Sequence, residues 1–288
     1  MLLIFVIFVS FGAPATQIKK DKLQVVASFY PLYYFSERIG GEKAEVINIM
    51  PAGVEPHEYE LSARDMVLIE KAGLLVLNGG GLEAWGSKIK ENMTGEYPVV
   101  VAGEGLTNEE EIVADPHYWL SPSLAQKMTD NILDGFILAD PSNKDYFQAN
   151  ADSLKVDLAE LNAAYQNELS VCAERNMVTA HDAFGYLAKR YGLNQISISG
   201  LSPVEEPSSR RLTEIAKFTK DNDIKYIFFE SLVSRKFSET IANEVGAKTL
   251  VLNPLEGLTQ SELEQKKNYF TVMRNNLENL KIALQCKK

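Results

Sequence analysis

Short apolar runs rich in β-branched and aromatic residues alternate along the chain with stretches whose apolar residues recur every three or four positions. The first pattern predicts β-strands and the second predicts helices. The predicted strands are Leu23–Phe29, Ala44–Met50, Leu74–Asn78, Pro98–Ala102, Met177–Thr179, Gln195–Ser199, Tyr226–Phe229 and Thr249–Leu252. The predicted helices are Leu32–Ile39, Ser62–Ala72, Leu82–Asn92, Phe184–Tyr191, Ser209–Asp221, Lys236–Val245 and Tyr269–Leu284. This alternation is typical of parallel sheets covered by helices, so the simplest interpretation is an α/β protein with two four-stranded lobes.

One further helix is predicted between the two lobes, over Asn143–Ser170. Its apolar residues recur mostly at three- and four-residue steps, and it contains no Gly or Pro. At 1.5 Å per residue it would be about 40 Å long, enough to brace both halves. The alternative is a surface helix of a single domain. We therefore expect an N-terminal lobe over residues 23–142, a linker helix over 143–170 and a C-terminal lobe over 171–288.

The chain contains only three histidines, and each stands in a short loop between a predicted strand and a predicted helix. His57 follows the second strand, His117 follows the fourth and His181 follows the fifth. Open α/β sheets bind ligands at the carboxyl ends of their strands, so two facing lobes would gather these loops in the cleft between them. Glu256 follows the last strand and supplies a carboxylate to the same cleft. Imidazoles and a carboxylate are ligands that suit zinc.

The composition excludes some classes of binding partner but does not identify the function. The 288 residues are 45% apolar and 24% charged, which is ordinary for a globular protein large enough for two cores. With 29 basic and 39 acidic residues, the net charge of −10 argues against nucleic acid or an anionic membrane surface as a partner. A cationic ligand is compatible with this charge.

The first fifteen residues and the two cysteines indicate export. Residues 1–15 form an uncharged apolar run followed by small residues, which is typical of a secretory signal that is cleaved or kept as an anchor. Cys172 and Cys286 are the only cysteines, and in an exported protein such a pair favours an intrachain disulfide over two free thiols. We expect the protein in the periplasm or on the outer face of the cytoplasmic membrane.

Several motifs in order resemble the zinc and manganese solute-binding receptors of ABC importers. The matching stretches are Ser28–Tyr33, Gly53–His57, Asn78–Glu83, Asp115–Leu120, Thr179–Tyr186, Phe228–Glu230 and Leu252–Glu256. The resemblance implies two α/β lobes joined by one rigid helix, with a single divalent cation in the interdomain cleft. It also implies delivery of that ion by a monomer to a permease driven by an ATPase subunit.

In this family the three histidine ligands correspond to His57, His117 and His181. Some relatives take the fourth ligand from an Asp at the place of Asn253, and others take it from the Glu matched here by Glu256, which we assign. Three imidazoles and one carboxylate favour Zn²⁺, with Mn²⁺ as the alternative because a carboxylate can bind through both oxygens. Where many zinc importers carry a His-rich loop, this chain has the short acidic segment 108–115.

Three other functions remain as alternatives to a zinc receptor. A zinc-dependent hydrolase also commonly uses three protein ligands, but no separate acid or base is indicated once Glu256 serves as a ligand, so we expect no enzyme. A metal-dependent surface adhesin would need an exposed apolar or aromatic patch. The run Gly79–Ala84 also satisfies the G-x-G-x-x-G/A pattern, but it follows the third strand, so a tight turn near the cleft is favoured over nucleotide binding.

Overall fold

The computed structural model describes residues 22–92, 97–106 and 115–287, so the expected signal segment and most of the acidic loop lie outside the described residues. The first sheet contains four parallel strands, and its order is β2-β1-β3-β4. These strands are β1 (Leu23–Ala27), β2 (Ala44–Asn48), β3 (Leu74–Leu77) and β4 (Val99–Val101). The helices of this half are α1 (Tyr30–Gly40), α2 (Ala63–Glu70), α3 (Gly86–Asn92) and α4 (Pro122–Ala139).

The second sheet repeats this arrangement with the order β6-β5-β7-β8. Its strands are β5 (Asn176–Thr179), β6 (Asn194–Ser197), β7 (Tyr226–Phe229) and β8 (Lys248–Val251). The helices are α6 (Gly185–Tyr191), α7 (Ser209–Asp221), α8 (Lys236–Val245), α9 (Gln260–Glu264) and α10 (Tyr269–Ala283). The predicted α/β architecture of two four-stranded parallel sheets is therefore confirmed.

The long helix α5 (Lys144–Ser170) packs against helices of both halves. It contacts α1 and α4 on one side of the molecule and α6 and α10 on the other. Its 27 residues span about 40 Å. Every residue of its apolar stripe is buried: Phe147, Ala151, Leu154, Leu158, Leu161, Tyr165 and Leu169. The helix is therefore not a surface helix of one lobe.

One apolar core is continuous between the two halves. Tyr269 of α10 lies edge-on to Phe35 of α1, with ring centroids 4.9 Å apart. The buried Tyr269 hydroxyl donates to the backbone carbonyl of Trp119 at 2.6 Å, and the Trp119 indole N–H donates to the carbonyl of Pro254 at 2.7 Å. These buried polar contacts fix the relative position of the loops on either side of the cleft.

The ends of the chain's second half are also joined covalently. A disulfide links Cys172, just after α5, to Cys286, just after α10. It closes a loop across the whole C-terminal half. Among the described residues, no helix has both the length and the apolar character that a membrane crossing requires.

Three helices differ from the sequence prediction. Helix α4 was not predicted, although Pro122 at its first turn and buried Ala125, Met128, Ile132 and Phe136 carry the usual helical signals. The short helix α9 was not predicted either, although it begins with a capping box. Helix α3 begins at Gly86 instead of Leu82. The preceding glycines explain this difference, because Gly79, Gly80 and Gly81 all have positive φ, between 63° and 83°, and extend the loop before the helix.

Candidate metal centre

Loops at the carboxyl ends of strands bring the four predicted site residues to one point. His57 lies in a 3₁₀ turn (Pro56–Glu58) after β2, and His117 directly precedes another (Tyr118–Leu120) after β4. His181 follows β5, and Glu256 follows β8. One ligand atom from each of the four side chains lies within 4.8 Å of the others. No other such group of three or more His, Cys, Asp or Glu occurs among the described residues.

Five of the six distances between the four donor atoms are nearly equal. The Nε2 atom of His117 lies 3.3 Å from Nε2 of His57 and 3.3 Å from Nε2 of His181. The Oε1 atom of Glu256 lies 3.2 Å from Nε2 of His57, 3.2 Å from Nε2 of His117 and 3.3 Å from Nε2 of His181. A tetrahedron around a metal with ligand distances of about 2.0–2.1 Å has edges of about 3.3–3.4 Å. These five distances therefore match the edges of a tetrahedral zinc shell.

Two further carboxylates orient two of the imidazoles by contacting Nδ1, the ring nitrogen that faces away from the centre. Asp115 Oδ1 lies 2.7 Å from Nδ1 of His117 and accepts the backbone N–H of the same residue at 2.9 Å. Glu230 Oε1 lies 2.7 Å from Nδ1 of His181 and accepts its backbone N–H at 3.2 Å. When Nδ1 carries the proton and donates it to a carboxylate, the lone pair of the neutral ring lies on Nε2. Both Nε2 atoms are thereby presented to the centre as acceptors.

His57 is held differently. Glu55 Oε1 accepts its backbone N–H at 3.2 Å, but no carboxylate of the described residues forms a hydrogen bond with its Nδ1. The side chain of His57 is 11% exposed, whereas those of His117, His181 and Glu256 are fully buried. His57 therefore forms the solvent side of the cluster.

The pKa values of the cluster residues are shifted because these side chains are buried and lie close to other charged groups. Burial alone would lower the pKa of His181, but the carboxylates of Glu230 and Glu256 outweigh burial and raise this pKa well above its usual value. The pKa of His117 is raised in the same way by Asp115 and Glu256, against the effect of burial. Burial alone would raise the pKa of Glu256, but the neighbouring imidazoles hold it well below its usual range. The carboxylate and the imidazoles therefore each favour the charged form of the other.

Comparison with known proteins identifies the family. The sequence model of the zinc-uptake complex component A, periplasmic (ZnuA), matches residues 25–283. The chain belongs to this family.

Individual relatives agree with this assignment. The chain is 38% identical to the high-affinity zinc uptake system protein ZnuA of Bacillus subtilis over 286 residues, covering 93% of this chain and 90% of the relative. It is also 38% identical to the zinc-binding protein AdcA of Streptococcus pyogenes over 313 residues, covering 98% of this chain. The match spans only 61% of that AdcA, which is the longer protein.

Solved structures are similar over nearly the whole chain. The Zn(II)-bound ZnuA-like domain of Streptococcus pneumoniae AdcA has a TM-score of 0.82 and 39% identity, covering 92% of this chain and 99% of that domain. The laminin-binding protein Lmb of Streptococcus agalactiae, described as having adhesin and metal transporting activity, has a TM-score of 0.84 and 36% identity. That match covers 91% of this chain and 99% of Lmb.

The loop that carries Glu256 is built around Asn253. The Asn253 side chain donates to Ser231 Oγ at 2.7 Å and accepts the backbone N–H of Leu255 at 2.8 Å. Its backbone N–H and carbonyl pair with the amide of Asn276 on α10 at 2.9 and 2.7 Å. Leu255 has a positive φ of 57°, which these contacts hold in place. Asn253 therefore shapes the loop, and Glu256 reaches the centre.

The glycine-rich run near the cleft is a tight turn closed by its own carboxylate. The buried Glu83 accepts the backbone N–H groups of Asn78 at 2.7 Å and Gly79 at 3.0 Å, and the Ser28 hydroxyl at 2.5 Å. In a nucleotide-binding loop, backbone N–H groups of this kind point at a phosphate. Here a side chain already occupies them, so the turn interpretation is the one that the contacts support.

Sequence reasoning missed the roles of Asp115 and Glu230. Both residues lie in stretches that had been matched to the family, Asp115–Leu120 and Phe228–Glu230, but neither was assigned to the centre. Asp115 could have been found because it precedes His117 by two residues, the same interval that separates Glu55 from His57. Glu230 is 49 residues from His181, and only the pairing of β5 with β7 brings the two together.

Proposed function

We propose that this protein is an exported receptor that captures one Zn²⁺ ion between His57, His117, His181 and Glu256. It then delivers the ion to an ABC permease and its ATPase subunit. The observation that carries the proposal is that one carboxylate oxygen lies 3.2–3.3 Å from three imidazole nitrogens, and that Nε2 of His117 lies 3.3 Å from Nε2 of each of the other two histidines. Relatives named for zinc uptake and zinc binding support the same assignment. In this proposal zinc is the cargo, and residues 23–142 and 171–288 are the two lobes that enclose it.

The donor set favours zinc over manganese. Three nitrogen donors and one carboxylate suit a four-coordinate zinc ion, whereas manganese prefers more oxygen donors and a higher coordination number. Glu256 could add its second oxygen, so a manganese receptor is the runner-up. The short donor spacing and the burial of three of the four side chains leave little room for additional water ligands.

A receptor also fits the donor set better than a hydrolase. A catalytic zinc site keeps one position open for water or substrate, with three protein ligands in the others. Here Glu256 Oε1 lies 3.2–3.3 Å from all three imidazoles and would fill the fourth position. The neighbouring carboxylates Asp115 and Glu230 are engaged in holding imidazoles.

The family supports transport, and the disulfide supports export. Disulfides persist in oxidising compartments outside the cytoplasm, where a receptor of this class would meet its ion. The proposed location is the periplasm or the outer face of the cytoplasmic membrane, and the proposed partner is a permease with its ATPase.

The test is a zinc titration of protein that has been stripped of metal with a chelator. Wild-type protein should bind one equivalent tightly, and the double variant His57→Ala/His117→Ala should lose this binding. Glu58→Gln is the matched control, because this exposed carboxylate adjoins His57 but is not part of the cluster. Tight binding of one equivalent by the double variant would contradict the proposal.

A further inference from the structure

One buried side chain connects the loop that carries His117 to the loop that carries Glu256. Trp119 lies two residues after His117, in the 3₁₀ turn Tyr118–Leu120, and it is completely buried. Its indole N–H donates to the backbone carbonyl of Pro254 at 2.7 Å, and Pro254 lies two residues before Glu256. This hydrogen bond therefore joins two loops of the metal centre that are distant in the sequence.

Buried neighbours hold Trp119 in place from several directions. Its ring lies edge-on to Phe29, with centroids 4.7 Å apart, and 5.2 Å from the imidazole of His117. Its backbone carbonyl accepts the hydroxyl of Tyr269 at 2.6 Å. In a close-packed interior, neither the ring nor the backbone can shift without losing these contacts. The indole N–H is therefore a fixed donor.

The loop of residues 252–259, here called the Glu256 loop, has hydrogen bonds within its own half and to the N-terminal half. Those of Asn253 stay within the C-terminal half, so they shape the loop but do not set its distance from the histidines opposite. The N–H of Gly53 donates across the halves to the carbonyl of Leu258 at 3.0 Å, but Gly53 is exposed. Water can replace a partner at an exposed residue, whereas the contact of Trp119 is buried.

We propose that Trp119 is a positioning residue for the metal, and that its indole N–H holds Glu256 Oε1 within reach of the three imidazoles. This proposal rests on the proposed zinc site. Without the N–H, the buried carbonyl of Pro254 would lose its donor, which is unfavourable. Movement of the loop toward water would relieve this loss and would draw Glu256 away from the centre. Small displacements matter, because metal–ligand distances vary by only about 0.2 Å.

The first experiment measures zinc affinity after the indole N–H has been removed. Trp119→Phe keeps an aromatic ring without the donor and should weaken zinc binding at least about tenfold, as is typical of groups that orient a metal ligand. Trp85→Phe is the matched control, because Trp85 is the other of the two tryptophans and its buried indole nitrogen has no hydrogen-bond partner among the described residues. The control should retain wild-type affinity in the same competition titration with a chelating dye. Wild-type affinity in Trp119→Phe would overturn the proposal.

A second variant keeps the size of the ring, because phenylalanine is smaller than tryptophan. Incorporation of 3-benzothienylalanine in place of Trp119 exchanges only the indole N–H for a sulfur atom, which cannot donate. This variant should lose at least about tenfold in zinc affinity as well, and it tests the proposal even if Trp119→Phe does not fold. Wild-type affinity here would mean that the ring's bulk matters and its N–H does not.

A double-mutant cycle separates positioning of Glu256 from a general effect on the fold. In Glu256→Ala, the ligand that Trp119 is proposed to hold is absent. Adding Trp119→Phe in this background should leave zinc affinity nearly unchanged, because residues that act through one another are not additive. The same loss in both backgrounds would contradict the proposal, since Trp119 would then act through the imidazole of His117 or through the fold as a whole.

The positioning role and the proposed function fail in different ways. Normal zinc binding by both Trp119 variants would retain the metal function and remove the positioning role. Wild-type protein that takes up no zinc would contradict the proposed function, and hydrogen exchange of metal-free protein then tests Trp119 by itself. The backbone N–H of Leu255, which donates to the side chain of Asn253, should exchange faster in Trp119→Phe than in wild type or in Trp85→Phe. Exchange at the wild-type rate in Trp119→Phe would show that the indole N–H does not hold the Glu256 loop.

Discussion

The inner and outer sides of the metal centre hold their imidazoles in different ways. On the inner side, His117 and His181 are fully buried, and a carboxylate contacts both the backbone N–H and Nδ1 of each residue. On the outer side, His57 is partly exposed and has a carboxylate on its backbone N–H alone. The inner imidazoles are therefore fixed before an ion arrives, whereas the His57 ring loses more rotational freedom when it binds.

This difference suggests that the inner and outer histidines have different roles in binding the ion. Ligands that are already oriented contribute most of their interaction energy to binding, because little is spent on ordering them. A ligand at the solvent side can move aside without breaking the buried carboxylate contacts. We infer that His117 and His181 set the affinity of the centre, while His57 completes the shell.

The largest expected effect comes from removing one inner imidazole. Structural zinc sites bind with apparent free energies of about 10–16 kcal/mol, so one of four ligands is worth about 2.5–4 kcal/mol, or roughly a hundredfold to a thousandfold in affinity. His117→Ala and His181→Ala should lose this amount. His57→Ala should lose measurably less, because a water molecule can replace the ring at the exposed position. Competition with a chelating dye would measure all three, and equal losses would remove the distinction.

The next effect comes from the carboxylates behind the rings. Replacing groups that orient a metal-bound His typically weakens binding about 10–100-fold. Glu230→Gln should therefore weaken zinc binding within this range, because the amide is a poorer acceptor for the Nδ1 proton of His181. Glu55→Gln is the matched variant at the outer side and should weaken binding less than about threefold, since no Nδ1 contact is lost. Similar losses in both variants would contradict the proposed asymmetry.

A third variant changes the chemistry of the inner side while keeping four ligands. His181→Glu would make two imidazoles and two carboxylates, a set with more oxygen that can expand its coordination number. Zinc should still bind, but the ratio of zinc to manganese affinity should fall at least about tenfold, equivalent to about 1.4 kcal/mol. Competition titrations of both metals would measure this ratio. An unchanged ratio would mean that selectivity depends on the shape of the cleft and not on the donor atoms.

Much of this arrangement could be predicted from the sequence, because it depends on patterns that are local. The strands and most helices follow from short-range periodicity, and the four central residues follow from the rarity of histidine and from the rule that ligands gather at strand ends. Helices α4 and α9 were missed although their signals were present. The later start of α3 could not be read from periodicity, because it depends on the three positive-φ glycines.

The supporting contacts depend on distant parts of the chain and were harder to predict. Glu230 is one of 39 acidic residues, and nothing local distinguishes it from the others. Its role depends on the neighbouring positions of β5 and β7 in the sheet. The scaffolding contacts of Asn253 with Ser231 and Asn276 likewise require the folded loop.

The smallest effect concerns pH and follows from the raised pKa of His181. In the metal-free protein this pKa lies well above the usual 6.5, because Glu230 and Glu256 outweigh the effect of burial. Protonation of His181 therefore stabilises the metal-free fold. This contribution is fully present below about pH 6.5 and is lost as the pH rises through the pKa of the folded state. Glu256 has the opposite pH dependence, because its pKa is lowered in the folded protein. Its contribution to stability is present above pH 4.5 and is lost only as the pH falls through the lower pKa of the folded state.

Zinc reverses the first of these trends, because the ion can bind His181 only after the Nε2 proton has left. The rise in melting temperature on adding saturating zinc should therefore grow from pH 5.5 to pH 7.5. Thermal melts with and without zinc at several pH values would measure it, and calorimetry in buffers of different ionisation enthalpy would count the protons released. His181→Ala should release fewer protons than wild type, and Glu58→Gln should release the same number. A zinc-induced shift that is independent of pH would mean that the inner imidazoles are already neutral before the metal binds.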